Sequence, residues 1–156
     1  MKPVDLESLP SFRLVRLVSA IQKKVSRLYL EPHGLTNPDW RVLGFVHRYG
    51  PVKSSLLTER TSLDKAQVSR TVKKLAAHKL VRVGADPAHA RRTVLDLTVA
   101  GRRLYDRILP EAARAQHGLM LVLEPDERTL LDRALAKLQA HLDSNGEAAG
   151  RPGEIE

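Results

Sequence analysis

Apolar residues recur at helical spacing near both ends of the chain. Between Ser11 and about Leu30 they follow one another at steps of four and three residues, at Leu14, Val18, Ile21, Val25 and Leu28. The same steps return at Leu131, Leu135, Leu138 and Leu142. This spacing is typical of a narrow heptad seam, not of a broad core face. It predicts helices at about residues 11–30 and 99–143 whose seams need a partner, and a second copy of the chain is the simplest partner.

Proline positions and local composition indicate where the helices near the ends of the chain kink, begin and stop. Pro110 lies inside a predicted helix from Val99 to about Leu123 and should kink it, because proline removes a backbone N–H and crowds the preceding turn. Pro125 suits the first turn of a last helix. Residues 1–10 have little periodicity and are expected to form an arm. Residues 144–156 lack apolar periodicity, so we expect a disordered tail there.

The middle of the chain begins with a helix whose start and end are both signalled. Thr36-Asn37-Pro38-Asp39 is a capping box, and Gly50-Pro51 ends the helix near Tyr49. The expected buried side of this helix carries Trp40, Leu43, Val46 and His47.

A helix-turn-helix and a β-hairpin are predicted next. Residues 54–61 form a short helix, and a tight turn leads into a central helix between Leu63 and Leu80, which Asp64 caps with Gln67 as its partner. The β-rich stretches 81–83 and 93–97 follow, joined by a seven-residue loop from Asp86 to Arg92. The fold class is therefore mainly α with a small β-hairpin wing: a winged helix-turn-helix at about residues 36–98, flanked by N- and C-terminal dimerisation helices in one domain over residues 11–143.

Charge is concentrated in this middle part. The net charge is +8, and residues 53–92 hold ten Lys and Arg residues against three acidic ones. Such asymmetry indicates a nucleic-acid surface. The segment has no Phe, Trp or Tyr, which argues against a membrane surface as the partner. The chain has no Cys, no apolar run of membrane-spanning length and no signal-peptide pattern, so we expect a cytoplasmic protein.

The outward face of the central helix is the main candidate site. It carries Lys65, Gln67, Ser69, Arg70, Lys73 and Lys74, with no carboxylate beyond the cap. An ordinary solvated face usually interleaves both signs of charge, so we interpret this face as DNA-binding. Arg70 suits the O6 and N7 of guanine, whereas Lys73 and Lys74 suit phosphates. Gln67 could equally cap the helix or read an adenine.

Enzymatic chemistry has little support in the sequence. The six His residues show no metal-ligand spacing, and no nucleophile-elbow, dinucleotide-binding or phosphate-loop motif is present. We therefore expect no catalytic residue, no metal and no cofactor.

Three stretches resemble the MarR family of bacterial transcriptional regulators, and the resemblance extends over about residues 11–142. They are LTNPDWRVL (35–43), SLDKAQVSRTVKKLAAHKLV (62–81) and DPAHARRTVLDLTVAGRRL (86–104). The resemblance implies a homodimer, a recognition helix in the major groove of a palindromic operator and a wing arginine in the minor groove. Ser69 and Arg70 match the family's Ser-Arg pair and Arg91 matches the wing arginine, while His89 stands where the family usually has Asp. The expected DNA-binding residues are Lys53, Ser54, Lys65, Gln67, Ser69, Arg70, Lys73, Lys74, His89, Arg91 and Arg92.

The resemblance also implies a pocket for a small, often aromatic, effector between the dimer helices and the winged domain. We expect it near Trp40, Leu43 and His47, although a core anchor is the alternative for Trp40 and a structural role is the alternative for His47. The expected function is a repressor that binds its operator as a homodimer and is released by a small ligand, plausibly an aromatic carboxylate. The alternative is an architectural DNA-binding protein with no effector.

Overall fold

The computed structural model describes residues 5–86 and 89–148, with side chains described for all of these except 86, 89–93 and 145–148. The chain forms two compact units, the first ending at Arg114 and the second beginning at Ala115. The first unit contains the helix-turn-helix and the hairpin.

The N-terminal part is helical from near its first described residue. A 3₁₀ turn at Leu6–Ser8 precedes α1, Pro10–Val25, which has proline at its first position. The chain then passes through a π turn at Ser26–Leu30 and a 3₁₀ turn at Glu31–His33. Gly34 ends this run with φ 67°, a left-handed conformation that glycine adopts at low cost.

Helix α2, Asn37–Tyr49, begins with the predicted capping box. The Thr36 N–H donates to Asp39 Oδ2 at 2.8 Å, and the Asp39 N–H donates to Thr36 Oγ1 at 3.5 Å. Leu43 and Val46 are buried, as the periodicity predicts, whereas Trp40 and His47 are only half-buried. Because α2 packs against several elements, its buried side is broader than the sequence suggests and also includes Val42 and Asp39, which is a polar residue.

The helix-turn-helix consists of α3, Ser54–Thr61, and α4, Lys65–Ala77. Ser62 makes the turn between them with φ 54°. The Arg41 side chain donates from Nη1 to the carbonyl of Thr61 at 3.3 Å, so α2 caps the end of α3. Helix α4 begins with the second predicted capping box, between Asp64 and Gln67.

The wing is longer than the sequence predicts. Strand β1, Val81–Asp86, pairs antiparallel with β2, His89–Leu97, and a register shift lies between Ala85 and Asp86. The predicted loop from Asp86 to Arg92 is therefore wrong, because most of it belongs to the two strands. Backbone ladder hydrogen bonds do not require apolar side chains, so polar residues can extend a hairpin beyond its β-rich part.

Val52 adds a short third element to this sheet. Its N–H donates to the carbonyl of Leu95 at 2.8 Å, and the Leu95 N–H donates back to Val52 at 2.7 Å. This isolated bridge ties the segment before α3 to β2. A single residue pair has no periodicity, and nothing in the sequence analysis signalled it.

The core of the first unit is formed by fully buried side chains from α2, α3, α4, β2 and α5, Val99–Met120. They include Val42, Leu43, Leu57, Leu75, Leu95 and Ile108. The entry to α5 is held by Thr98, whose Oγ1 donates to the carbonyl of Lys79 at 2.6 Å and accepts from the Gly101 N–H at 3.0 Å. A Cβ at Gly101 would collide with the carbonyl oxygen of Leu80, so only glycine fits this close approach.

Helix α6, Pro125–Ala148, begins at proline as predicted. It continues to Ala148, so the disordered tail predicted from residue 144 starts too early. Extending an existing helix adds one hydrogen bond per residue and needs no apolar seam, which is why periodicity missed these residues. Over the described ranges, no helix is long and apolar enough to cross a membrane.

Candidate nucleic-acid interface

The outward face of α4 presents one sign of charge. Lys65, Ser69, Arg70 and Lys73 are all exposed on it, and the helix from Lys65 to Ala77 contains no acidic residue. Lys53 and Ser54 are exposed at the start of α3. We call the four exposed α4 residues the basic face.

An open groove of about 640 Å³ lies between α3 and the basic face. It is lined by Ser54, Ser55, Thr58, Lys65, Val68, Ser69, Val72 and Lys73. The structure therefore brings together four of the predicted DNA-binding residues, two hydroxyl-bearing and two cationic. Hydroxyls and ammonium groups are donors suited to phosphate oxygens and to the acceptor edges of bases.

Gln67 lies at the start of α4 as the capping partner of Asp64. The Gln67 N–H donates to Asp64 Oδ1 at 2.7 Å, and Gln67 Oε1 accepts from the Asp64 N–H at 3.3 Å. Of the two roles that the sequence left open, the geometry favours capping.

Lys74 differs from the other predicted cations of α4. Its Nζ lies 2.5 Å from Asp39 Oδ2 and 3.1 Å from the carbonyl oxygen of Gly34. The ammonium group is thus directed toward α2 and the turn before it, and the structure does not bring it together with the basic face.

The wing contributes residues whose side chains lie outside the described part. The predicted DNA-binding residues His89, Arg91 and Arg92 belong to β2 by backbone, and their side chains are not described. Near the base of the hairpin, away from these residues, Arg82 donates to Asp96 Oδ2 from Nε at 3.2 Å and from Nη2 at 2.5 Å. This cross-strand pair follows from the register that places Arg82 opposite Asp96.

An aromatic stack occupies one side of α2. The ring centroids of Trp40 and Tyr105 are 4.7 Å apart, and those of His47 and Tyr105 are 4.3 Å apart. Trp40 and His47 are about two helical turns apart, so the Tyr105 ring of α5 lies between them, against Gly44. His47 Nε2 also lies 3.5 Å from Asp106 Oδ1. The sequence analysis did not identify Tyr105, because no local pattern links α5 to α2.

Burial changes the acidity of two phenols in this region. It raises the pKa of Tyr29, whose ring packs edge-on against Trp40. Burial is also the larger cause of the raised pKa of Tyr105, and the neighbouring Asp106 carboxylate adds to it. Because both pKa values lie above the ordinary 10.0, both rings stay neutral at physiological pH, and their contribution to stability is lost only as the pH rises through these values.

A second open cleft, of about 530 Å³, is also lined by Trp40. Its lining comes from α2 and the end of α3: Trp40, Arg41, Gly44, Phe45, Arg48, Tyr49, Arg60, Thr61 and Ser62. Of the three predicted ligand-binding residues, Trp40 lines the cleft and His47 packs in the stack. Leu43 is 0% exposed, so its side chain belongs to the core. The three guanidinium groups of the cleft were not identified from sequence, because arginines spread over a helix surface carry no periodic signal.

The described part of the chain contains no candidate metal site. No three side chains among its His, Asp and Glu residues come together in a way that could hold an ion.

Comparisons with known proteins agree with this architecture. A model of the MarR family matches residues 33–92. The transcriptional repressor NicR of Pseudomonas putida is 29% identical over 104 residues, which cover 67% of this chain and 66% of the repressor, just under two thirds of its length.

Two solved structures are similar over nearly the whole fold. A MarR/EmrR family transcriptional regulator from Acinetobacter sp. ADP1 is 26% identical with a TM-score of 0.82, over 90% of this chain and 99% of that one. BpsR of Bordetella bronchiseptica, whose DNA binding is regulated by 6-hydroxynicotinic acid, is 25% identical with a TM-score of 0.79, over 88% of this chain and 97% of that one. With the winged helix and its one-signed helix face, these matches show that the chain is similar to transcriptional regulators of the MarR family.

Proposed function

We propose that the chain is a cytoplasmic repressor that binds a palindromic operator as a homodimer. The observation that carries this proposal is the basic face of α4, where Lys65, Ser69, Arg70 and Lys73 are exposed with no acidic neighbour on the helix. A helix of this kind fits the major groove, where arginine can read guanine and lysine can neutralise phosphates. The wing residues His89, Arg91 and Arg92 extend the contact to the neighbouring minor groove.

The homodimer is supported by apolar side chains left exposed at both ends of the chain. In α1, Leu14 and Val18 remain exposed, and in α6 so do Leu135, Leu138 and Leu142. These are positions of the two heptad seams. Exposed apolar seams favour association of two chains, because burying their side chains removes hydrocarbon from water.

Selection of bound DNA from a random pool tests the proposal. We expect a two-fold symmetric consensus with half-sites about one helical turn apart. The selected site should bind at least about a thousandfold more tightly than random DNA at physiological salt. A pool that yields no consensus, with affinity set by salt alone, would favour the architectural alternative.

We further propose that the operator is released by an aromatic carboxylate bound near Trp40. One support is BpsR, whose DNA binding is regulated by 6-hydroxynicotinic acid. Another is the cleft at Trp40, which is lined by Arg41, Arg48 and Arg60 together with the aromatic residues Trp40, Phe45 and Tyr49. A guanidinium group can hold a carboxylate through two parallel hydrogen bonds, and an aromatic ring can stack on the ligand.

Leu43 and His47 take indirect roles in this proposal. Leu43 anchors α2 in the core, and His47 packs against Tyr105, which in turn stacks on Trp40. Release requires that the ligand bind the DNA-incompetent spacing of the dimer more tightly than the competent one, since equal affinity for both shifts nothing.

Trp40 is the only Trp of the chain, so its fluorescence reports on the cleft. We expect 6-hydroxynicotinic acid or benzoic acid to change its emission in a saturable way and to weaken operator binding. Arg48→Gln should raise the Kd of the acid by about tenfold or more, because a charged hydrogen bond is lost. Arg82→Gln, an exposed arginine of the wing, is the matched control and should leave the acid's Kd unchanged. An acid that binds equally well to both variants would place the effector elsewhere.

A further inference from the structure

Lys73 and Lys74 are adjacent lysines of α4 in very different surroundings. Lys73 is exposed and lines the groove beside the basic face. Lys74 is only partly exposed, and its ammonium group lies 2.5 Å from Asp39 Oδ2. Successive residues of a helix point about 100° apart, so two neighbouring lysines can serve different surfaces.

Asp39 is the point at which α2 and α4 are joined. It is 1% exposed, and one of its oxygens accepts three hydrogen bonds. Two come from Thr36, from its N–H and its Oγ1, each at 2.8 Å. The third comes from Lys74, which also donates to the Gly34 carbonyl at 3.1 Å.

This arrangement links the position of α4 to the first turn of α2. A buried carboxylate is costly without a cation, and the Lys74 ammonium is the cation that neutralises Asp39. Val68 and Leu75 pack α4 into the core, but apolar contacts alone tolerate small rotations of a helix about its axis. A directional contact at Lys74 restricts that rotation, and the rotation decides which side chains of the basic face meet base edges.

We infer that Lys74 is a positioning residue, which fixes the orientation of the recognition helix through Asp39 and so contributes to sequence discrimination, not to phosphate affinity. The inference rests on the proposed binding of a specific operator. It assigns opposite behaviour to two adjacent lysines of equal charge, which makes it measurable.

The test compares Lys74→Gln with the matched control Lys73→Gln. Operator and random-sequence affinities are measured for both variants over a range of salt concentrations. For Lys73→Gln we expect a salt slope reduced by about 0.9, one phosphate contact, with similar weakening on all sequences. For Lys74→Gln we expect an unchanged salt slope and a ratio of operator to random affinity lowered by about tenfold or more, equivalent to at least about 1.4 kcal/mol.

Asp39→Asn extends the test to a buried residue of α2. It should lower the operator-to-random ratio as Lys74→Gln does, and the double variant should lose little more than either single one, because both remove the same contact. If Asp39→Asn does not fold, as judged by circular dichroism, Lys74→Met replaces it in the test. This variant also removes the contact with Asp39, has a side chain of similar length, and should lower the operator-to-random ratio in the same way.

The outcomes separate the inference from the proposed function. A wild-type protein that binds all sequences alike overturns both. The inference alone is overturned if the wild-type protein prefers the operator over random DNA and a Lys74→Gln or Lys74→Met variant keeps that preference. In that case the variant would also show the reduced salt slope expected for Lys73→Gln. An unchanged slope with lost discrimination supports it.

Discussion

At the scale of single residues, Gly101 allows two backbone segments to pack in close contact, because glycine has no Cβ. The backbone of α5 approaches the segment between α4 and β1 so closely at this point that an added Cβ would collide with the Leu80 carbonyl oxygen. Gly101→Ala should therefore lower the free energy of unfolding by about 3 kcal/mol, although alanine is the better helix former. Chemical denaturation measures this change.

Gly118 is the matched control, since it also lies in α5 and has no atom within 4 Å of an added Cβ. Gly118→Ala should leave the stability unchanged or raise it by about 0.5–1 kcal/mol. Equal effects of the two substitutions would mean that helix propensity, not the contact with Leu80, decides at residue 101.

Arg70 and Arg91 are expected to make different contacts with DNA. Arg70→Ala should cost about 1–3 kcal/mol of operator binding and relax the preference at one base position per half-site. Arg91→Ala should weaken binding most on operators with narrow, A·T-rich flanks and leave the central consensus unchanged. Binding to operators with A·T-rich and G·C-rich flanks distinguishes the two, and a uniform loss for Arg91→Ala would mean that the wing contacts only phosphate.

At the scale of elements, the capping box of α4 is the feature to test. Asp64 accepts a hydrogen bond from the Gln67 N–H, and the Gln67 side chain accepts one in return. Asp64→Ala should lower the free energy of unfolding by about 1 kcal/mol, because a backbone donor loses its partner. Gln67→Glu keeps an acceptor at the same place, so it should leave stability nearly unchanged while weakening DNA binding by charge repulsion.

The binding of Gln67→Glu to operators that differ at single bases also decides the role of Gln67. If it caps the helix without reading a base, Gln67→Glu should weaken all operators alike. Loss of preference at a single adenine would instead show that its side chain contacts a base edge.

At the scale of the whole molecule, association of two chains should set the distance between their recognition helices. We expect a dimer by light scattering at micromolar concentration without DNA, with the two α4 helices about 34 Å apart for successive major grooves. Leu138→Glu should give a monomer, because Leu138 is 54% exposed on the α6 seam and a buried charge there would lack a partner.

The control for this substitution is Val99→Glu. Val99 is 71% exposed at the first residue of α5, outside the seams, and a glutamate suits the start of a helix. A monomer for both variants, or a wild-type protein that is already monomeric, would contradict the assignment of the seams to dimerisation.

Much of the fold could be predicted because its signals are local. The capping boxes at Thr36 and Asp64 and the proline at residue 125 mark helix starts through contacts within one turn, so a few neighbouring residues suffice to identify them. The hairpin was identified from its β-rich parts, but its strands extend through polar residues whose pairing depends on the partner strand. One-signed charge on a helical face is also local, and it led to the basic face of α4.

The contacts that refine the site depend on the path of the whole chain. Asp39 and Lys74 are 35 residues apart, and the sequence pattern indicated a sufficient local role for each: Asp39 as part of a helix cap and Lys74 as a surface cation. Tyr105 lies between Trp40 and His47 only because α5 returns across α2. Sequence alone determined the elements and the sign of the binding face, since both follow from neighbours within a few residues. Tertiary structure decided which lysine faces outward and which neutralises a buried carboxylate, because that choice depends on how α2 and α4 pack.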